Sequence, residues 1–138
     1  MGLTDENRIA IVNYRIERAF VALEQAKGNL EMGYLEITAN RLYYAAYYAA
    51  SALLIAYEIR VRSHEGCIGQ FNLHFVKTEI VPREMGKLFS KLFDMRLTGD
   101  YSDRFDLTQD DVVPNIQPTE DFIIKVTGLA KSKLVSKS

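Results

Sequence analysis

The chain has 138 residues and a mass of 15.7 kDa, which fits one compact domain. Hydrophobic residues make up 48% of it, so there is enough apolar material for a core and the disordered class is excluded. Seventeen Lys and Arg oppose 18 Asp and Glu. No overall basic field attracts nucleic acid, so any phosphate binding must be local. We predict a single domain over residues 1–138.

Three features of the chain bear on its compartment. A single cysteine, Cys67, excludes an intramolecular disulfide and fits a reducing compartment. The amino terminus, Met1 to Arg8, is charged where a secretory signal is apolar. The most apolar run, Ala45 to Tyr57, is shorter than the roughly 20 residues that cross a bilayer. We expect a cytoplasmic protein that does not enter a membrane.

The first predicted helix runs from Thr4 to Leu30. Its apolar residues recur at helical spacing, which indicates an amphipathic helix with one buried face: Val12, Ile16, Ala19, Phe20, Leu23, Ala26 and Leu30. Thr4 is a suitable cap, and Met32-Gly33 marks the break before the next helix.

The second predicted helix, about Tyr34 to Ile59, is apolar on two faces. One stripe contains Leu42, Ala45, Ala46, Ala49, Leu53 and Ala56, and the other contains Tyr43, Tyr47, Leu54 and Tyr57. A helix with two apolar faces belongs at the centre of a fold. Its alanines allow neighbouring helices to approach closely.

Capping residues and prolines divide the rest of the chain into further helices. The predicted spans are His64 to about Glu79 after a Ser63 cap, Arg83 to Leu97 between Pro82 and a Gly99 stop, a short turn from Gln109 to Val113 after a Thr108 cap, and Pro118 to Val135. No strand-like alternation competes with this pattern. The sequence predicts an all-α, mainly antiparallel up-and-down bundle of about five helices.

Arg96 breaks the packing pattern of the fourth helix. It lies four residues after Leu92 and seven after Phe89, so it continues the inward stripe. Burying an unpaired guanidinium costs several kcal/mol, so Arg96 needs a carboxylate, carbonyl groups or a bound anion. Pairing with Asp100 at the helix end is one interpretation. A substrate anion is the other.

The second helix carries a polar stripe of Arg41, Tyr44 and Tyr48 at positions i, i+3 and i+7. An arginine beside phenolic rings suits a phosphate and a stacked base, as in proteins that bind single-stranded nucleic acid. Tyrosine is also enriched in helix and subunit interfaces. Both interpretations of the stripe remain open.

His64, Cys67 and His74 align along the third helix without an HExxH or CxxC signature. A cysteine between apolar neighbours is typical of a core position, and His64 fits a helix start. The glycines of this segment do not have the spacing of a phosphate loop. We therefore expect no metal and no cofactor.

Four segments together resemble a known family. Residues 40–54 read NRLYYAAYYAASALL, residues 63–66 read SHEG, residues 75–77 read FVK, and Arg96 begins an R-x-x-x-D-Y motif that ends at Tyr101. In this order they resemble the HEPN domains, and most closely the small prokaryotic group labelled UPF0332. The similarity extends over about Val12 to Leu134.

The resemblance implies a helical bundle that forms a homodimer, with the arginine of each protomer near a shared cleft. It also implies a cytoplasmic prokaryotic protein that works with a minimal nucleotidyltransferase in a toxin–antitoxin arrangement. Tyr101 is similar in place to the tyrosine that such a partner adenylylates in some HEPN toxins.

Active HEPN ribonucleases cut RNA without metal through an Arg-x4–6-His motif, in which Arg96 matches the arginine. In this chain no histidine follows at that spacing, and Asp100 stands near its place. An aspartate beside Arg96 stays ionised at neutral pH and is a poor proton donor. This difference favours binding over cleavage.

The preferred hypothesis is a HEPN protein that binds nucleotide or RNA phosphate through Arg96, with ligand contacts from Arg41, Tyr44, Tyr48 and Tyr101. Asp100 would orient Arg96, and Tyr101 would contact a base or accept a modification. The first alternative is a metal-independent ribonuclease that uses Arg96 and Asp100. The second is a protein–protein interaction module whose polar stripe is an interface.

Overall fold

The computed structural model describes residues 4–101 and 107–136, with the backbone alone for 99–101, and within these ranges it contains helices and no strand. The α-helices are α1 (Asp5–Glu31), α2 (Leu35–Ala56), α3 (His64–Phe71), α4 (Arg83–Tyr101), α5 (Gln109–Val112) and α6 (Ile116–Ser136). A π-helical turn, Asn72–Val76, extends α3, and a 3-10 turn, Val113–Asn115, joins α5 to α6. No helix in these ranges combines the length and apolar character needed to cross a bilayer.

The three predicted capping residues start their helices as expected. The side chains of Thr4, Ser63 and Thr108 each accept a hydrogen bond from the backbone N–H three residues ahead, at 3.1, 2.9 and 3.3 Å. At Thr108 the carboxylate of Asp111 also accepts from the backbone N–H, at 2.8 Å, which completes a capping box. Gly33, at φ 81°, provides the left-handed residue between α1 and α2.

Helix α2 is the central helix, as the two apolar stripes predicted. It packs against α1, α3, α4 and α6. Its buried side chains are largely alanines, which keep the neighbouring helices close: Ala39, Ala45, Ala46, Ala49, Ala50 and Ala52. The all-α bundle is therefore confirmed. Of the tyrosines of α2, Tyr43 lies within this core, and Tyr44, Tyr47 and Tyr48 occupy the boundary between the core and the surface.

Three local predictions were wrong. Gly99 does not end α4, which continues to Tyr101 because one glycine inside a helix costs only about 1 kcal/mol. Phe20 is 37% exposed because it follows Ala19 by one residue and so lies about 100° away from the buried stripe of α1. Regular α-helix ends at Phe71 instead of continuing to Glu79, because the hydrogen-bond pattern changes to a π turn.

The π turn packs against Gly86 of α4. A Cβ atom placed on Gly86 would lie 2.8 Å from Asn72 Oδ1, and 3.0 and 3.2 Å from the two γ-carbons of Val76. Since Gly86 is buried, neither neighbour can move away without disturbing the contact between α4 and the π turn.

We predict that Gly86→Ala destabilises the protein by about 1–2 kcal/mol, because overpacking outweighs the gain in helix propensity. The matched control is Gly128→Ala in α6, where a Cβ meets nothing within 4 Å. It should stabilise by about 0.5–1 kcal/mol. Urea denaturation of both variants measures the difference. Equal effects would contradict the close packing of the π turn on α4.

Candidate functional site

Arg96 points inward from the last turns of α4 and lies half-buried on aromatic rings. Its Cζ is 5.3 Å from the ring centre of Tyr43, 5.6 Å from that of Tyr44 and 5.9 Å from that of Phe93. Its Nη1 donates a hydrogen bond to Tyr44 Oη at 3.1 Å. A guanidinium on ring faces retains its charge, because the ring electrons attract the cation without neutralising it.

A second guanidinium lies over the same tyrosine. The Cζ of Arg41 is 5.1 Å from the Tyr44 ring centre. In the part of the chain that the structure describes, Arg41 donates to side-chain amides, at 3.0 and 2.8 Å to Asn40 Oδ1 and at 3.1 Å to Gln25 Oε1. These partners are neutral and do not cancel its charge. The structure thus brings Arg96, Tyr44 and Arg41 together.

The polar stripe continues along α2 beyond Tyr44. The ring centre of Tyr48 lies 6.1 Å from that of Tyr44, and Arg18 Cζ is 5.8 Å from the Tyr48 ring centre. One turn further on, Arg15 Nη1 donates to Ser51 Oγ at 3.1 Å. The predicted site residue Tyr48 therefore belongs to a row in which arginines from α1 contact polar side chains of α2.

His64 lies on the same tyrosines as Arg96. Its Nδ1 is 2.7 Å from Tyr43 Oη, and its ring stacks on Tyr47 with the centres 4.4 Å apart. The centre of the imidazole is also 5.7 Å from the ring centres of Tyr43 and Tyr44, which Arg96 contacts. The assignment of His64 to a helix start was right, but it missed the position of the ring beside Arg96.

The sequence contained one signal for His64. The motif Ser63 to Gly66 was among the segments that carry the family resemblance. Capping places Ser63 at the start of α3 and thereby fixes His64 as its first residue. Spacing along the chain could not show the rest, because His64 and Arg96 are on different helices and meet through α2.

The surroundings of His64 set its protonation. Burial lowers the pKa of the imidazole, and the positive charge of Arg96 lowers this pKa further, while Glu65 opposes both. The imidazole is therefore neutral at neutral pH. Burial also raises the pKa of the Tyr43 phenol, which keeps its proton and can donate to or accept from His64.

Cys67 of α3 and His74 of the π turn do not form a thiol or metal centre among the described residues. Burial raises the pKa of the Cys67 thiol to about 12, so the thiolate that a nucleophile needs is scarce. His74 Nε2 lies 3.0 Å from Gln70 Oε1. Among the described residues, no three His, Cys, Asp or Glu side chains converge as metal ligands.

Two predicted site residues lie outside the described side chains. Asp100 and Tyr101 are in the last turn of α4, where the structure describes the backbone alone. The pairing of Asp100 with Arg96 and the roles of Tyr101 therefore stay predictions.

Comparison with known proteins agrees with the family resemblance of the sequence motifs. The HEPN domain family model matches residues 12–129. The chain is 37% identical over 119 residues to a UPF0332 protein of Thermotoga maritima, which covers 86% of this chain and 90% of that protein. The matched range includes α2, α3 and α4, which together hold Arg41, His64 and Arg96.

Two further relatives come from Methanocaldococcus jannaschii. One, named "Putative toxin MJ0142", is 25% identical over 89% of this chain and 81% of its own length. The other, named "Putative toxin MJ0605", is 31% identical over 63% of this chain and 65% of its own length.

We predict that His64 titrates below pH 6.5, the ordinary value for histidine, and that Arg96→Gln raises the midpoint by removing a positive charge. The chain has 2 histidines, so NMR titration of a His74→Gln variant follows His64 alone. A midpoint at or above 6.5 in the parent protein would contradict this geometry.

The same depressed pKa has a consequence for stability. Because the unfolded chain binds the His64 proton more tightly, the free energy of unfolding should fall as the pH drops below about 6.5. The His64→Gln variant should lack this component of the pH dependence.

Proposed function

Because the chain belongs to the HEPN domain family, we propose that it binds the phosphate of a nucleotide or of RNA at Arg96, with Arg41 and Tyr44 as its partners. The observation that carries the proposal is the position of Tyr44 between two guanidinium groups, hydrogen-bonded to Arg96 and lying under Arg41. Arg96 retains partial exposure, so an anion can reach it.

The chemistry of these groups suits phosphate. A guanidinium offers forked N–H donors that match two phosphate oxygens, and two cations close together favour a group with more than one negative charge. Tyr44 and Tyr48 are half-buried, so part of each side chain is available for contact with a base. Tyr101 remains a candidate for base contact or modification, and Asp100 for orienting Arg96.

We predict that Arg96→Ala weakens binding of a labelled single-stranded oligouridylate at least tenfold and reduces the salt dependence of binding by about one phosphate contact. Arg96→Lys should retain only part of the parent affinity, because an ammonium lacks the forked N–H donors of a guanidinium. Fluorescence anisotropy at several salt concentrations measures both effects.

The control is Arg83→Ala, an exposed arginine at the start of α4, which removes the same charge elsewhere. An equal loss of affinity in the control would show that the effect of Arg96→Ala comes from the change in net charge and not from a site at Arg96. If the protein binds neither mononucleotide nor RNA, the interaction-module hypothesis replaces this one.

A second candidate function, metal-independent RNA cleavage, is favoured by His64. The imidazole lies on the tyrosines that Arg96 contacts, so a neutral histidine reaches the arginine from another helix. With its proton on Nδ1, donated to Tyr43 Oη, the ring leaves the Nε2 lone pair available as a base.

The cleavage balances with these two side chains and water. Nε2 of His64 removes the proton of a ribose 2'-hydroxyl, the 2'-oxygen attacks the adjacent phosphorus, and the bond from phosphorus to the 5'-oxygen breaks. The leaving 5'-oxygen takes up a proton from water, and the imidazolium then returns its proton to the solvent. Arg96 stabilises the charge on the phosphoryl oxygens. The products are a 2',3'-cyclic phosphate and a 5'-hydroxyl end, and no metal takes part in a step.

We predict that the protein cleaves labelled RNA in the presence of a chelator, and that His64→Gln and Arg96→Gln each reduce the rate at least a hundredfold. His74→Gln, which changes the exposed histidine of the same segment, should leave the rate unchanged. RNA that stays intact with the parent protein would leave phosphate binding as the function.

The names of two relatives extend the proposal to a biological setting. From these names, which contain the word toxin, we infer a toxin-like role. The family resemblance adds the proposal of a cytoplasmic protein with a minimal nucleotidyltransferase as its partner. A homodimer would bring two Arg96 sites to one cleft. Expression in a bacterial host should slow growth, and Arg96→Gln should relieve the effect.

A further inference from the structure

A second basic site lies next to the Arg96 site. The first half of α1, the last half of α2 and the segment after α2 enclose a cavity of about 610 Å³. Its charged lining consists of one glutamate, Glu58, and four arginines: Arg8, Arg15, Arg60 and Arg62. The whole chain has nine arginines and a net charge of -1, so the positive charge is concentrated here.

Arg8 is the most deeply placed of these arginines, with 2% of its surface exposed. Its Nη1 lies 2.7 Å from Asp5 Oδ1 and 3.6 Å from Glu58 Oε1. Its Nε is buried and has no hydrogen-bond partner within the described residues. Because these two carboxylates offset the charge of Arg8, the positive charge that the cavity offers to a ligand comes mainly from Arg15, Arg60 and Arg62.

The cavity is continuous with the site at Arg96. Tyr47 and His64 line it, and these two rings are stacked on each other. On the other side, the same imidazole contacts Tyr43 and Tyr44, which hold Arg96. A ligand that passes over His64 therefore reaches both groups of arginines.

We propose that this cavity is a second phosphate subsite, which binds another phosphate of the RNA strand held at Arg96. The inference rests on the proposed function, and it adds that the ligand is an oligonucleotide. From Arg41 to Ile55, which lines the cavity, α2 rises about 21 Å over 14 residues, a span longer than one nucleotide. The cavity volume falls within the range of small-ligand pockets, so a nucleotide fits it.

The side chains between the two subsites favour RNA over an acidic polypeptide. Along α2 the arginines alternate with exposed parts of tyrosines, since Arg41 lies over Tyr44 and Arg18 over Tyr48. Cations beside rings suit alternating phosphates and bases, because each base can stack on a ring. An acidic peptide would use the charges and leave the rings without a partner.

The test compares a short and a long ligand, labelled uridine dinucleotide and hexanucleotide. Arg60 and Arg62 are exposed, so Arg60→Gln with Arg62→Gln removes two charges without disturbing the core. The matched control is Arg83→Gln with Lys87→Gln, two exposed cations that line a different groove. Anisotropy across a salt series measures the affinity, and poly-glutamate serves as a competitor.

We expect the Arg60/Arg62 variant to bind the hexanucleotide at least tenfold more weakly, with a salt slope smaller by up to about 1.4. Its affinity for the dinucleotide should change less than twofold, and the control should resemble the parent. Equal hexanucleotide binding by the variant and the parent would overturn the second subsite. So would competition by poly-glutamate as strong as that by RNA.

The same series separates this inference from the proposed function. If Arg96→Ala weakens both ligands while the Arg60/Arg62 variant weakens neither, the second subsite fails and the Arg96 site stands. If Arg96→Ala changes neither ligand, the proposed function fails, and the second subsite fails with it.

Discussion

The contact of Arg96 with Tyr43 and Tyr44 is the interaction on which the candidate site depends. A guanidinium on the inward stripe of α4 requires compensation, and ring faces and a phenolic hydroxyl are among the groups that provide it. Contacts of this kind contribute about 0.5–2 kcal/mol each and leave the positive charge in place. The ring contacts therefore hold the guanidinium at this place without neutralising it.

The sequence of α2 explains why these rings are available. Alanines on the stripes that face α1, α4 and α6 let those helices come close, so α2 is buried over most of its length. Tyr43 is fully buried and contacts Arg96 from within the core, whereas Tyr44, Tyr47 and Tyr48 are half-buried at its boundary. Two polar partners from other helices, Arg96 and His64, then meet on one patch of α2.

Regular spacing predicted the residues that lie on one helix and missed those that meet across helices. Arg41, Tyr44 and Tyr48 are at i, i+3 and i+7 of one helix, so periodicity alone placed them in a row. His64 reaches Arg96 only through the packing of α3 and α4 on α2, which no local pattern encodes. Likewise, the cavity arginines come from α1 and from the segment after α2, and their grouping needs the bundle. The prediction that Gly99 ends α4 failed because the helix continues through this glycine to Tyr101. The prediction that Phe20 is buried failed because Phe20 lies about 100° around the helix from Ala19, which is on the buried face of α1.

The net charge of -1 is compatible with a phosphate-binding role, because the attraction of a phosphate depends on the charges close to the site. At physiological ionic strength the screening length is about 8 Å, so acids on distant faces contribute little at α2. Among the described residues, carboxylates pair directly with Lys27, whose Nζ lies 3.0 Å from Glu120 Oε1, and with Arg8, whose Nη1 lies 2.7 Å from Asp5 Oδ1. Along α2, by contrast, the contacts that the structure describes are a ring for Arg18 and a ring with two side-chain amides for Arg41, and none of these groups carries a negative charge. Cations that pair with carboxylates, such as Lys27 and Arg8, are therefore less suited to hold an anion than the arginines of the α2 row, which contact rings and amides.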